Sequence, residues 1–178
     1  MKKKILLKKS IIPLILITLI FIVFRVDLFS SLVIILLILL ACVSKVYKRF
    51  IGFSFGFELV TPVAIILAFK TSLVFSILSS IAMIFVSDFL SGEFIPPALL
   101  WQTVTYGVMC VFIFLTRGII DFLILAMIGI IFRNVFLFVI GITLGGADPF
   151  KIFLSNFPNI FINGFLILEF GRQILLFL

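Results

Sequence analysis

Residues 10–44 read SIIPLILITLIFIVF (10–24), RVD (25–27) and LFSSLVIILLILLACVS (28–44), two apolar runs parted by three residues. As one helix this stretch would be roughly 50 Å long at 1.5 Å per residue, whereas a bilayer core is about 30 Å thick. Arg25 and Asp27 therefore mark a tight hairpin between two short spans. The rest of the chain repeats the pattern, with apolar runs interrupted only by short groups of charge, Pro and Gly. Of its 178 residues 65% are hydrophobic and 12% charged, which leaves no polar stretch long enough for a soluble domain.

The expected fold class is an all-α polytopic bundle of six or seven transmembrane spans in a single domain, 1–178. Residues 1–9 form a basic tail, and the spans are placed at about 10–24, 28–44, 51–69, 72–90, 97–116, 119–144 and 152–176. Pro96 and Pro97 suit a helix start, and residues 145–149 (GGADP) read as a turn. Arg133-Asn134 interrupts the longest apolar stretch, but splitting it there would leave two pieces too short to cross.

Lys2, Lys3, Lys4, Lys8 and Lys9 hold the N-terminus in the cytoplasm by the positive-inside bias. A second basic cluster, Lys45, Lys48 and Arg49, fits a return to the same side. No Ala-x-Ala pattern follows residue 24, so the first run is read as a retained span rather than a signal peptide. The expected location is the plasma membrane. Net charge is +7, but no Lys/Arg stripe lies on a soluble face, which argues against a nucleic-acid partner and for membrane lipids. Cys42 and Cys110 lack metal or redox spacing and read as small hydrophobes.

The chain contains no histidine. Ser-His dyads and His-ligated zinc chemistry are thereby excluded, and neither a metal nor a cofactor is expected. Two carboxylates sharing a proton could still act as an aspartyl pair, and Asp88 and Asp121 are the available two. Simpler roles suit both: Asp88 capping the loop at Ser91-Gly92, and Asp121 in a helix first turn, where it complements the dipole.

Charge inside a span is costly and usually faces a partner or cavity. Arg133 requires a counter-charge, for which Glu58, Asp88 and Glu169 are candidates, although Glu169 can also pair with Arg172 three residues on. Asn156, Asn159 and Asn163 fall on one helix face. Trp101 and Thr105 share a face, as do Gln102 and Tyr106; Trp and Tyr ordinarily favour the headgroup boundary. An apolar wall with a few convergent polar groups is what a small-molecule pocket requires, so Glu58, Gln102, Tyr106, Asn159 and Asn163 form the candidate ligand site. Gly52 and Gly56, a small-xxx-small pair, and Gly141 and Gly145 are assigned to helix packing.

The blocks ELVTP (58–62), SDFLSG (87–92), Tyr106-Gly107 and FPNIFIN (157–163) resemble two related families. These are the substrate-binding S components of energy-coupling-factor (ECF) vitamin transporters and the rod-shape-determining protein MreD, and the likeness covers about residues 51–170. The first implies a six-helix subunit with both ends cytoplasmic. It would capture a vitamin-like molecule on the outer face and partner a transmembrane coupling protein and ATPases. The chain itself has no Gly-x-x-x-x-Gly-Lys-[Ser/Thr] nucleotide loop. It departs from S components in that residues 11–24 lack the Ala-x-x-x-Ala docking face, and a seven-span count puts the C-terminus outside. The MreD likeness implies instead a scaffold of a cell-wall elongation complex. Either way the expectation is a non-enzymatic subunit among other membrane proteins.

Overall fold

The computed structural model describes residues 28–51, 56–93, 95–143 and 149–178, and among these the chain is helical without strands. The tail 1–9, the expected span 10–24, Gly52, Gly145 and the turn at 145–148 lie outside the described residues. In order come α1 (Leu28–Val43), α2 (Tyr47–Ile51), α3 (Val60–Lys70), α4 (Leu73–Ser91), α5 (Pro96–Thr116) and α6 (Phe122–Thr143). A final helical run follows: α7 (Pro149–Leu166), a π-helical turn (Ile167–Gly171) and α8 (Arg172–Leu176). Among the described residues five stretches are long and apolar enough to cross a membrane: Phe29–Ile51, Leu73–Ser91, Pro96–Thr116, Phe122–Thr143 and Ile152–Leu176. Their outer faces carry exposed Leu, Ile and Phe, as at Leu36, Leu39, Phe157 and Phe161, which suits lipid contact.

The span expected at 51–69 is corrected. Its helix begins only at Val60 and has 11 residues, about 16 Å of rise and half of what a crossing needs. The start is chemically marked, because Pro62 falls in the first turn, where its missing N–H costs nothing. Every residue from Val60 to Ala68 is buried, as a helix apolar all round should be. Helices α1, α4, α5, α6 and α7 pack against it, and Gly129 of α6 lets Ile65 approach.

Non-helical backbone at membrane depth must be enclosed by protein or line a cavity. In residues 56–59, Gly56 and Glu58 are buried, and side chains satisfy two of the freed backbone groups. Leu59 N donates to Ser44 Oγ (3.1 Å), and Asn159 Nδ2 donates to the Gly56 carbonyl (3.0 Å). Gly56 has φ 76°, and a Cβ there would stand 2.4 Å from Asn159 N. It thus serves close approach, but from a bend against α7 rather than on a helix face shared with Gly52. Gly141 packs against Ile152, whose Cδ1 a Cβ would meet at 2.6 Å.

Local chemistry fixes the helix ends. Ser72 caps α4 by accepting from Phe75 N, Gly92 closes it in the left-handed conformation, and Pro96–Pro97 open α5. Asp121 Oδ1 accepts from Leu123 N (2.9 Å) at the start of α6. At that end Arg117 donates to the carbonyls of Phe69 (3.1 Å) and Thr71 (2.8 Å). Arg172 reaches Asp121 (3.3 Å) instead of the expected Glu169. Ser30 Oγ donates to the Phe177 carbonyl (3.2 Å), so the described bundle begins and finishes at the same end.

Candidate functional site

Charged side chains gather at the opposite end. There α1 finishes, residues 56–59 turn into α3, α4 runs into α5, and the C-terminal half of α6 faces the first turns of α7. Glu58 is the hub. Arg133 Nη2 donates to both of its carboxylate oxygens (2.9 and 3.0 Å), and Tyr106 donates its hydroxyl proton to Oε1 (2.9 Å). With that proton committed, the 2.7 Å contact between Thr61 and Tyr106 hydroxyls has Thr61 as donor. Lys45 Nζ lies 3.6 Å from Glu58 and 2.8 Å from Asp88, bridging the two carboxylates. Gln102 Nε2 donates to the other Asp88 oxygen (3.1 Å).

An amide layer continues the network. Asn159 Oδ1 accepts from Arg133 Nη1 (3.3 Å), Asn134 Nδ2 (3.2 Å) and Asn163 Nδ2 (2.9 Å), which fixes the orientation of its amide. Asn156 Nδ2 donates to the Asn134 carbonyl (3.3 Å). Lys45, Glu58, Asp88 and Arg133 are each no more than 5% exposed. Two cations therefore balance two carboxylates in a low-dielectric interior, an arrangement that tolerates burial only because every charge has a partner.

Above this floor opens a cavity of about 470 Å³, walled by Lys45, Glu58, Asp88, Gln102, Arg133 and Asn159, with the Lys48–Glu93 pair among its lining residues. Lys48 and Glu93 are joined at 2.8 Å and are more exposed than the deeper pairs. The volume falls in the range of small-molecule sites.

Of the five residues singled out from sequence, Glu58, Gln102 and Asn159 line the cavity. Tyr106 and Asn163, both fully buried, lie outside its lining and hold the others from behind. Tyr106 is thus a core residue, not a headgroup-boundary one, and Trp101 does not line the cavity. The choice of counter-ion for Arg133 resolves to Glu58. Asp88 combines two roles. Its main-chain carbonyl accepts from Ser91 Oγ and Glu93 N, while its carboxylate enters the network. Asp121 is exposed and engages Arg172, so the two aspartates serve different cations. Lys45 is the member that the sequence reading missed, having been grouped with Lys48 and Arg49 as a basic flank. A signal was present: Ser31, Ile34, Ile38 and Ala41 form a stripe at helical spacing, and Lys45 continues it.

No protein-family model, curated protein or solved structure matches this chain.

Proposed function

We propose that the protein is a non-enzymatic membrane subunit that binds a small polar molecule in the cavity above Glu58, and that it works within a transporter energised by partner ATPases. The observation that carries this reading is the cavity itself: fixed charges and amides from the turn after α1, from α2, α4, α5, α6, α7 and from the segment before α3 converge on one space of about 470 Å³. Helix packing alone has no use for such a space. The resemblance to ECF S components adds support, since it implies six helices with both ends on one side and the ligand on the other. The described bundle has six main helical elements, its two ends adjoin, and its cavity lies at the far end.

The second reading, an MreD-like scaffold of a cell-shape complex, is favoured by one specific feature: the ion pairs are already matched to one another without any ligand.

Thermal unfolding of the purified protein in detergent, across vitamins and other small polar metabolites, separates the two. A bound solute raises stability by about 2.7 kcal/mol at a hundredfold excess over its dissociation constant. Stabilisation by at least one solute, lost in Gln102→Leu, is the expected result. An unresponsive protein that co-purifies with cell-wall synthesis proteins would establish the scaffold instead.

A further inference from the structure

Building on the binding reading above, we infer that the molecule taken by the cavity is a zwitterion, carrying one cationic and one anionic group and no net charge. Among the described residues, the cations lining the cavity are Lys45, Lys48 and Arg133, and each is bonded to a carboxylate that also lines it: Lys45 to Asp88 at 2.8 Å, Lys48 to Glu93 at 2.8 Å, Arg133 to Glu58 at 2.9 Å. The walls that these described residues form are therefore electrically neutral in sum and strongly polar in detail.

That combination discriminates by net charge. A simple anion entering the cavity leaves water and finds each cation with its carboxylate beside it, so attraction and repulsion nearly cancel while the desolvation cost remains. A simple cation meets the mirror image. In a zwitterion the two ends can lie antiparallel to a wall ion pair, anionic group toward Lys or Arg and cationic group toward Asp or Glu, leaving no charge uncompensated. Fixed charges of both signs also give it an advantage over an uncharged molecule, which meets the same walls with dipoles alone. Lys45, placed between Asp88 at 2.8 Å and Glu58 at 3.6 Å, can shift its hydrogen bond from one carboxylate to the other and so expose a carboxylate to an incoming ammonium group without breaking the network. Gln102 and Asn156 add amide groups to the lining.

The test uses the whole protein in detergent and four-member sets of matched compounds, built on phenylalanine and on glutamine. Each set comprises the free amino acid, its cationic methyl ester, its anionic N-acetyl derivative and the doubly blocked neutral form. The free amino acid of at least one set is expected to raise the melting midpoint with a half-saturating concentration at least about tenfold below those of its three relatives, equivalent to about 1.4 kcal/mol. A blocked form that equals or surpasses the free amino acid overturns the inference while leaving the binding reading in place. No shift with these sets or with the wider metabolite panel overturns both. The rim supplies a second arm, because Glu93 is about half exposed and its replacement spares the buried network. Glu93→Gln leaves Lys48 unpaired and should move preference toward the N-acetyl anion, and Lys48→Gln should move it toward the methyl ester. A ranking unchanged in both variants contradicts the charge-balance account.

Discussion

The Glu58–Arg133 pair shows why a buried ion pair is fragile from one side only. Removing Arg133 leaves Glu58 with Lys45 at 3.6 Å and a hydroxyl donor, so Arg133→Met is expected to destabilise by about 3–5 kcal/mol. The double variant Glu58→Gln/Arg133→Met should lose clearly less than the sum of the two single changes. Unfolding titrations in mixed micelles, run as a double-mutant cycle, check this, and simple additivity would contradict direct pairing. Two glycines offer a sharper contrast. Both Gly56 and Gly92 have positive φ, for which alanine costs about 1–2 kcal/mol. At Gly92 a Cβ meets nothing within 4 Å, whereas at Gly56 it meets the α7 backbone at 2.4 Å. Gly92→Ala should stay within the conformational cost, and Gly56→Ala should exceed it and displace Glu58 from Arg133. Equal losses would show that the bend does not press on α7.

At the level of elements, the helices Leu73–Ser91, Pro96–Thr116 and Phe122–Thr143 start and stop within three residues of the apolar runs 72–90, 97–116 and 119–144, because uninterrupted apolar runs bounded by Ser-Gly, Pro-Pro and Asp leave few alternatives. The short α3 was less so. Its residues are as apolar as a span, and only Pro62 hinted that the helix begins near Val60. The polar site was legible in position but not in pairing. Stripes at helical spacing lead to Lys45 in the turn that follows α1, to Asp88 through Ser80 and Ile84 on α4, and to Arg133 through Ala126 and Gly129 on α6, all buried. The partners are 43 residues apart for Lys45–Asp88 and 75 for Glu58–Arg133, and no local pattern encodes such separations. Because α3 is enclosed by five helices, overpacking it should be costly. Ala64→Leu, at a fully buried site, is expected to lose about 1–3 kcal/mol, whereas Leu36→Ala on the exposed face of α1 should be close to neutral. A tolerant Ala64 would mean that α3 is not the packing centre.

For the molecule as a whole, the side on which the cavity opens decides the direction of any transport. With α3 and the segment before it counted together as one crossing, seven spans and a cytoplasmic N-terminus put the Lys45–Arg49 end in the cytoplasm. With six, both ends of the bundle are cytoplasmic and the cavity faces outward. Capture of an external solute requires the second. A single cysteine at Glu93, with Cys42 and Cys110 replaced, should therefore react with a membrane-impermeant maleimide in intact cells. Reaction only after lysis would contradict outward capture.

Whether the buried charges frame a binding cavity or serve only as a packing device is decided at Ala98. Ala98 lines the cavity, and no side-chain hydrogen bond depends on it, so Ala98→Phe fills the space without touching an ion pair. Solute-dependent melting shifts should be measured for the wild type and for this variant at matched concentrations. A saturable shift is expected in the wild type that disappears in Ala98→Phe while the unliganded midpoint is retained. A wild type that no polar solute stabilises, or a shift that survives undiminished in the filled variant, would contradict the binding role.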